Sequence, residues 1–306
     1  MSTRFRSILV PLDGSAVAEQ ALSVGASLAR RAGAPLHLVS VQEPVPVAVT
    51  AEVGYYGVDL EREAREELTR YLAGTLDVAR KTGGLDVQGE VIDGAAAEAL
   101  TDYVARHDIG LVVMTTHARK GLGRLWLGSV ADRLLRRLSV PMLLLHPGEL
   151  PQPTRFRKIL VALDGDIEES VLEPAIALGT LEQDAEYVLA RVVEPPLPLL
   201  TSLAASPSLL GQPHEEPDLE QAARAHLERV ADRLRAGGLH VTWQVRVARD
   251  VPEQVVALAG EVGADCIAVG THGATGIVRL LVGSVADKVV RETGLPVLVG
   301  PLGRRE

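Results

Sequence analysis

A glycine-rich stretch near the end of the chain has the composition of a phosphate-binding loop. An apolar run ends at Gly270, and Gly273 and Gly276 follow within seven residues. Glycines let a ligand approach the bare backbone. Gly283 and Ser284 then open a predicted helix, where free N–H groups and the helix dipole favour an anion. The stretch therefore predicts a cradle for phosphate.

The same pattern occurs once more in the first half of the chain. Gly128 and Ser129 lie 155 residues before Gly283 and Ser284, and the intervening positions align without a gap. A repeat of about half the chain length predicts a duplicated domain. Every argument about the site therefore applies twice.

Length and composition agree with two domains and restrict the function. The 306 residues fit two domains of roughly 150, which we expect at residues 1–147 and 155–306. Hydrophobic residues make up 47% of the chain, enough for two cores. A net charge of −9 argues against a nucleic acid partner, because Lys and Arg contacts dominate that binding. The single cysteine, Cys266, excludes a disulfide framework and a thiolate metal site.

Hydropathy argues against a membrane protein. No run reaches the ~18 apolar residues of a membrane span, and no signal-peptide pattern opens the sequence. We therefore expect a cytoplasmic protein without a membrane partner.

The pattern of apolar runs predicts β-α-β-α-β-α-β-α-β in each half. Predicted strands lie at 7–12, 36–41, 85–92, 111–115, 140–145, 158–163, 187–193, 240–247, 266–270 and 295–299. Predicted helices include 60–81, 95–106, 129–138, 219–234, 251–262 and 284–291. Strands that alternate with helices, several of them apolar throughout, predict a parallel sheet covered on both faces. The expected fold class is α/β, with two repeated doubly wound, Rossmann-like domains of five parallel strands each.

One aspartate follows the first strand of each half. In doubly wound sheets, ligands bind beyond the carboxyl ends of the strands where strand order reverses. If the first and fourth strands are neighbours, Asp164 and the Gly270 loop face one crevice. Asp13 and the loop after Thr115 face the matching crevice in the first half.

These motifs resemble the universal stress protein family. The carriers are Ile-Leu-Val-Pro-Leu-Asp-Gly-Ser at 8–15 and the Gly-x2-Gly-x9-Gly-Ser loop at 270–284. Both halves resemble the family over nearly their whole length, so the chain resembles a tandem member. The resemblance implies two adenine nucleotide alpha hydrolase-like domains and, in the ATP-binding branch, ATP in the crevice, with or without Mg²⁺.

The resemblance also implies which residues hold the nucleotide. In the second half they are Ala162, Asp164, Val192, Val269, Gly270, Gly273, Gly283, Ser284 and Val285. In the first half they are Pro11, Asp13, Val41, Met114, Thr115, Ala118, Gly128, Ser129 and Val130. Thr115 and Ala118 depart from the glycine pattern, so the second half is expected to bind ATP more strongly.

Structural roles compete with ligand roles at several of these positions. Ser129 and Ser284 each precede an acid by three residues, Asp132 and Asp287, which is typical of a helix capping box. An Asp-Gly pair is also a common turn, which would explain Asp13 and Asp164 without a ligand. His117 and His272 are interpreted as structural or surface residues. The basic cluster at Arg119, Lys120, Arg124, Arg133, Arg136 and Arg137 is interpreted as a solvated face, with phosphate contact by Arg119 or Lys120 as the alternative.

Motifs of efficient catalysis are missing from the sequence. We find no Gly-x4-Gly-Lys-Ser/Thr loop and no Gly-x-Ser-x-Gly elbow. The loop also has no pair of carboxylates placed to hold Mg²⁺ against a γ-phosphate. The leading hypothesis is a regulatory protein of the stress response that binds ATP. The alternatives are a scaffold that binds no nucleotide and a slow ATPase, and no catalytic or metal-ligating residue is assigned.

Two further predictions concern assembly. Strands 142–145 and 297–299 are apolar edges, which invite pairing, so the halves are expected to join through them as a pseudo-dimer. A homodimer of the whole chain is also consistent with the sequence. The long apolar loop at 195–213 is expected to cover the second-half crevice or a partner subunit.

Overall fold

The fold was analysed in a computed structural model of the chain. It describes residues 5–44, 54–81, 83–116, 127–148, 154–164, 169–195, 219–270 and 284–301. The first half contains β1 (Ile8–Pro11), α1 (Ala16–Ala32), β2 (Leu36–Gln42), α2 (Gly54–Lys81), β3 (Val87–Asp93), α3 (Ala96–Arg106), β4 (Leu111–Thr115), α4 (Ser129–Leu135) and β5 (Met142–Leu145). The second contains β6 (Lys158–Ala162), α5 (Glu169–Gly179), β7 (Glu186–Val193), α6 (Leu219–Ala236), β8 (His240–Val247), α7 (Val251–Val262), β9 (Cys266–Val269), α8 (Ser284–Glu292) and β10 (Val297–Val299).

Within the described residues, ten strands form one continuous sheet. Their order is β3-β2-β1-β4-β5-β10-β9-β6-β7-β8, and the pairs within each half are parallel. Strand order reverses between β1 and β4 and again between β6 and β9. The predicted α/β fold class is therefore confirmed, and so is the predicted adjacency of the first and fourth strands in each half.

The halves join through their last strands, as the apolar edges predict. β5 and β10 pair antiparallel, with Val297 opposite Leu144 and Val299 opposite Met142. All four side chains are at most 1% exposed. The pairing removes two sheet edges from solvent and relates the halves by an approximate twofold axis.

Helices cover both faces of the sheet and enclose two apolar layers. One layer contains side chains from α1, α2, α5 and α6, including Leu28, Leu72, Val171 and Leu227. The other contains side chains from α3, α4, α7 and α8, including Leu100, Leu134, Leu258 and Val289. We call this second layer the α3/α7 face. Both layers run across the β5–β10 junction, so the two halves share their cores.

Helix α1 shows how the turn after β1 is built. The Oγ of Ser15 caps the helix by accepting from the Ala18 N–H at 3.1 Å. Gly14 before it has φ +82°, a left-handed conformation that glycine adopts without a Cβ penalty. At the other end, Gly33 closes the helix with φ +63° and binds the Ala29 and Arg30 carbonyls. The helix therefore begins where β1 ends, at the edge that holds the candidate site.

The boundaries of two helices differ from the sequence prediction. Helix α2 begins at Gly54, six residues before the predicted start. Helix α4 ends at Leu135, where the prediction placed its end at residue 138. None of the described helices is long and apolar enough to cross a membrane.

Candidate functional site

The predicted apolar site residues of the first half lie at one edge of the sheet and on one face. Pro11 ends β1, Val41 is near the end of β2, and Met114 is near the end of β4. Val41 and Val130 pack against the α3/α7 face, and Met114 belongs to it. Pro11 and Val41 remain partly exposed, so the surface they form has an open side. This arrangement provides an apolar floor beside the point where strand order reverses.

The second half builds the same floor from smaller side chains. Ala162 at the end of β6 lies beside Val269 of β9 in the sheet register. Val192, Val285 and Ala162 are partly buried against the α3/α7 face, and Val269 is 2% exposed within it. Alanine and valine occupy less space here than the proline and methionine of the first half. The second-half crevice is therefore lined by the smaller groups.

The aspartate after β1 has a structural partner. Its carboxylate accepts from the Ser15 N–H at 2.9 Å, closing the Asp13-Gly14 turn. The structure thus confirms the turn role of Asp13. Asp13 and Asp164 are both solvent-exposed. A turn role and a ligand role are compatible, because a carboxylate accepts several hydrogen bonds.

The capping-box interpretation of Ser129 is wrong. Gly128 occupies the cap position of α4, Ser129 is the first helical residue, and no side-chain cap bond forms. The N–H of Asp132 instead donates to the Gly128 carbonyl at 2.9 Å. The Asp132 carboxylate binds Arg136 at 2.8 and 3.0 Å, an i,i+4 pair that takes it away from the helix start. Ser129 is exposed, and its hydroxyl makes no cap bond.

Helix α8 repeats this arrangement in the second half. Ser284 is its first residue and is exposed. Asp287 binds Arg291 at 2.8 Å through both oxygens, matching the Asp132–Arg136 pair. Both helices therefore begin with an exposed serine. In each, the aspartate three residues later forms an ion pair with the arginine one turn further on. Among the described residues, no side chain caps the first turn of α4.

The basic cluster is partly neutralised by neighbouring acids. Arg137, two residues after the end of α4, pairs with Glu98 of α3 at 2.6 Å, and Arg136 pairs with Asp132. The bond to Asp132 raises the pKa of Arg136. This confirms a structural face for that part of the cluster. Arg119, Lys120 and Arg124 lie outside the described residues.

Thr115, which replaces the glycine of the second-half pattern, does not contribute a side chain to the floor. Successive residues of a strand point to opposite faces. Met114 belongs to the α3/α7 face and Val113 to the opposite layer, so Thr115 shares the face of Val113. Its side chain is 3% exposed. Of Thr115, only the main chain at the end of β4 faces the crevice. Gly270, the residue that follows β9, is the matching position in the second half.

Several predicted site residues lie outside the described residues. They are Gly273 and Gly283 of the second half and Ala118 of the first half. His117 and His272, interpreted as structural or surface residues, also lie outside the described residues. Their predicted roles stay predictions. Asp164 is described, but the residues that follow it, 165–168, are not.

Two carboxylates at the same sheet edge were missed by sequence reasoning. Glu43, just after β2, accepts from the Ala96 N–H at the start of α3, at 3.0 Å. Asp250 caps α7 at the Glu253 N–H and binds Lys288 of α8 at 2.5 Å. Lys288 lowers the pKa of the Asp250 carboxyl. In the sequence, Glu43-Pro44 indicated only the end of a strand. Its bond to Ala96 could not be predicted, because the two residues are 53 positions apart.

The described residues contain no group of three or more His, Cys, Asp or Glu side chains that could hold a metal ion. Cys266 lies in β9 and is fully buried, and burial raises the pKa of its thiol to about 12. It therefore behaves as a small apolar residue of the core.

Comparison with known proteins agrees with this architecture. The model of the universal stress protein family matches twice, at residues 4–146 and 155–301. A universal stress protein of Mycolicibacterium smegmatis is 29% identical over 299 residues, covering 95% of this chain and 96% of its own. One from Mycobacterium tuberculosis is 28% identical over 307 residues, covering 95% of each chain.

A solved structure shows the same fold over the whole chain. The crystal structure of a universal stress protein from Archaeoglobus fulgidus superimposes with a TM-score of 0.71 and 18% identity, covering 97% of this chain and 99% of that one. The two family matches, one in each half, account for nearly all the elements described above. This chain belongs to the universal stress protein family, in which it is a tandem member with two domains.

Proposed function

We propose that the protein is a regulatory protein of the stress response that binds ATP in the crevices at the carboxyl ends of β1/β4 and β6/β9. The observation that carries the proposal is the strand order. Strand order reverses between β1 and β4 and between β6 and β9, and Asp13 and Asp164 follow β1 and β6, which supports a site at these points. Ligands of doubly wound sheets bind at such points.

The chemistry of each crevice fits the parts of an adenine nucleotide. The apolar floor, with Ala162 and Val269 at its centre, suits the face of a base. The exposed carboxylate of Asp164 suits ribose hydroxyls, which donate hydrogen bonds. The first-turn N–H groups of α8, beside Ser284, suit phosphate oxygens. Bound Mg²⁺ would be held by the phosphates and water, because a divalent ion of this kind needs few protein ligands.

Occupancy of the site, rather than rapid chemistry, is the proposed signal. Efficient phosphoryl transfer needs a metal-binding carboxylate set and a residue that activates the nucleophile. The described residues supply no such metal cluster, and the sequence has no P-loop lysine. We therefore expect slow turnover of ATP. The protein would act through the difference between its ATP-bound and free states.

The first test is a measurement of nucleotide retained by the purified protein. Acid extraction followed by chromatography is expected to release ATP or ADP, and titration calorimetry on the stripped protein should show binding of ATP. The double variant Asp13→Ala with Asp164→Ala, which removes both crevice carboxylates, is expected to weaken binding. A protein that retains no nucleotide and gives no heat with ATP would favour the scaffold alternative.

The two sites are expected to be unequal, with the second half binding ATP more tightly. Gly273 can adopt φ > 0 and lets phosphate approach the backbone, whereas Ala118 adds a Cβ that disfavours a left-handed conformation by roughly 1–2 kcal/mol. Since ~1.4 kcal/mol is tenfold in affinity, the first site should be weaker by about five- to thirtyfold.

Three glycine or alanine variants test this inequality by calorimetry. Gly273→Ala should abolish the tight site, and Ala118→Gly should strengthen the weak one. Gly260→Ala is the matched control, because a Cβ at this exposed position in α7 meets nothing within 4 Å. Two equal sites in the wild type, or tight binding that survives Gly273→Ala, would contradict the prediction.

A further inference from the structure

A second cavity lies at the opposite end of the sheet from the nucleotide crevices. Its volume is about 570 Å³, within the range of small-molecule sites. It lies where β6 and β7 begin, against the last turn of α1. The residues that line it are mostly charged: Arg31, Arg155, Arg157, Lys158, Leu181, Glu182, Gln183, Asp184 and Glu186. The cavity is therefore lined by Arg31 of the first half and by residues of the second half, among them Arg155 directly after the linker.

A buried carboxylate organises the wall of this cavity. The Glu182 side chain is only 3% exposed and forms ion pairs with Arg31 of α1 and, at 3.5 Å, with Arg155. It also accepts from the Phe156 N–H at 3.4 Å. Arg31 donates in addition to the Thr154 carbonyl. One carboxylate thus holds the guanidinium of the first half against the chain that enters the second half.

Positive charge at the cavity exceeds the negative charge that pairs with it. Glu182 is shared by two guanidiniums. Burial, together with the nearby charge of Arg155, lowers the pKa of Arg31. Lys158 is paired with Glu186 at 2.9 Å. Among the described residues, no carboxylate forms an ion pair with Arg157, whose exposed side chain lines the same cavity.

The main chain that carries these arginines is held in place at the start of β6. The N–H groups of Arg157 and Lys158 both donate to the Asp265 carboxylate at 2.9 Å. This holds the main chain next to the cavity, while the side chains of Arg155 and Arg157 remain largely exposed. The exposed arginines can therefore reorient toward a ligand without breaking the Arg31–Glu182 pair.

We propose that this cavity binds a small multivalent anion of the phosphate type, held by Arg155 and Arg157 with Arg31 behind them. Planar guanidinium groups bind phosphate oxygens through two parallel hydrogen bonds, which a point charge cannot do. Glu182 carries one negative charge and pairs with both Arg31 and Arg155, so the anion would add negative charge beside these two arginines. Asp184 opposes it from the cavity rim, which limits affinity. Because Arg31 belongs to the first half, the bound anion would also strengthen the junction between the halves.

Calorimetric titration with pyrophosphate tests the proposal at about 0.15 M ionic strength, where exposed charges are screened. Arg155→Gln with Arg157→Gln should weaken the wild-type affinity about tenfold or more, and Arg157→Gln alone about threefold, because charge-assisted bonds are lost. Asp184→Asn removes the opposing carboxylate and should strengthen binding about threefold. The control is Arg224→Gln, which removes one exposed arginine of α6 that lies outside the cavity.

The site is distinguished from the nucleotide crevices by titrating each variant with ATP as well. The cavity variants are expected to lose pyrophosphate affinity and keep ATP affinity. Absence of saturable pyrophosphate binding in the wild type, or equal binding in the double variant, would overturn the proposal. If the double variant does not fold, the Arg157→Gln and Asp184→Asn pair decides, since they should shift affinity in opposite directions. Failure of the protein to bind ATP would count only against the proposed function.

Discussion

Replacing Leu144 with arginine is expected to destabilise the whole protein by about 4 kcal/mol or more. Leu144 is fully buried in β5 and lies opposite Val297 of β10, which is fully buried as well. Loss of a buried leucine alone costs about 2–5 kcal/mol, and an unpaired charge in an apolar layer adds several more. Such a loss is comparable with the ~5–15 kcal/mol total stability of a typical domain.

The measurement is urea unfolding followed by circular dichroism. Val247→Arg is the matched control, because this valine lies in the edge strand β8 and is 49% exposed, so the same charge stays in water. Leu144→Ala serves if the arginine variant does not accumulate, and should lose about 2–5 kcal/mol. Equal unfolding curves for Leu144→Arg and Val247→Arg would contradict a shared core at the β5–β10 junction.

The floors of the two crevices lie in the same apolar layer on both sides of the β5–β10 junction. The apolar layer formed with α3, α4, α7 and α8 runs from Met114 to Val269 across the paired strands, so the floors of both crevices belong to one packed unit. Packed interiors transmit strain because they have few voids. One packed layer therefore connects the floors of the two crevices.

Much of the fold could be predicted because the pattern of the sequence is redundant. Several strands are uninterrupted apolar runs, and the 155-residue repeat makes two independent predictions of most elements. The adjacency of the first and fourth strands was an assumption, that Asp13 and the loop after Thr115 serve the same site, and the full strand order comes from the structure. The pairing of β5 with β10 followed from their apolar edges, since exposed edges of this kind need a partner.

The remaining features depend on contacts that no local pattern encodes. The ion pair of Arg31 with Glu182 joins residues 151 positions apart, one in α1 of the first half and the other in the turn after α5 of the second half. The failed capping prediction has a different cause. Asp132 is part of the predicted capping box that begins at Ser129, and it also lies four residues before Arg136. In the structure its carboxylate binds two guanidinium nitrogens of Arg136 instead of the start of the helix. The roles of Gly273 and Ala118 stay predictions from sequence.

Acid is expected to destabilise the protein through His146, the residue that follows β5. Its side chain is 8% exposed, and burial lowers its pKa from 6.5 to about 4. The unfolded chain therefore binds a proton between these two values that the folded chain does not, so stability falls as pH falls from about 6.5 toward 4. One pKa unit is 1.36 kcal/mol, and the expected loss from this group at about pH 5 is roughly 1–2 kcal/mol.

The prediction is tested by the free energy of unfolding in urea at pH 7 and at pH 5. Carboxylates and His37, whose pKa is lowered by burial, also contribute to the acid slope. The informative quantity is therefore the difference between variants. His146→Gln removes the titrating group and should lose about 1–2 kcal/mol less between the two pH values than the wild type. His240→Gln changes an exposed histidine of β8 and should keep the wild-type slope. An unchanged slope in His146→Gln would mean that this imidazole is already solvated in the folded state.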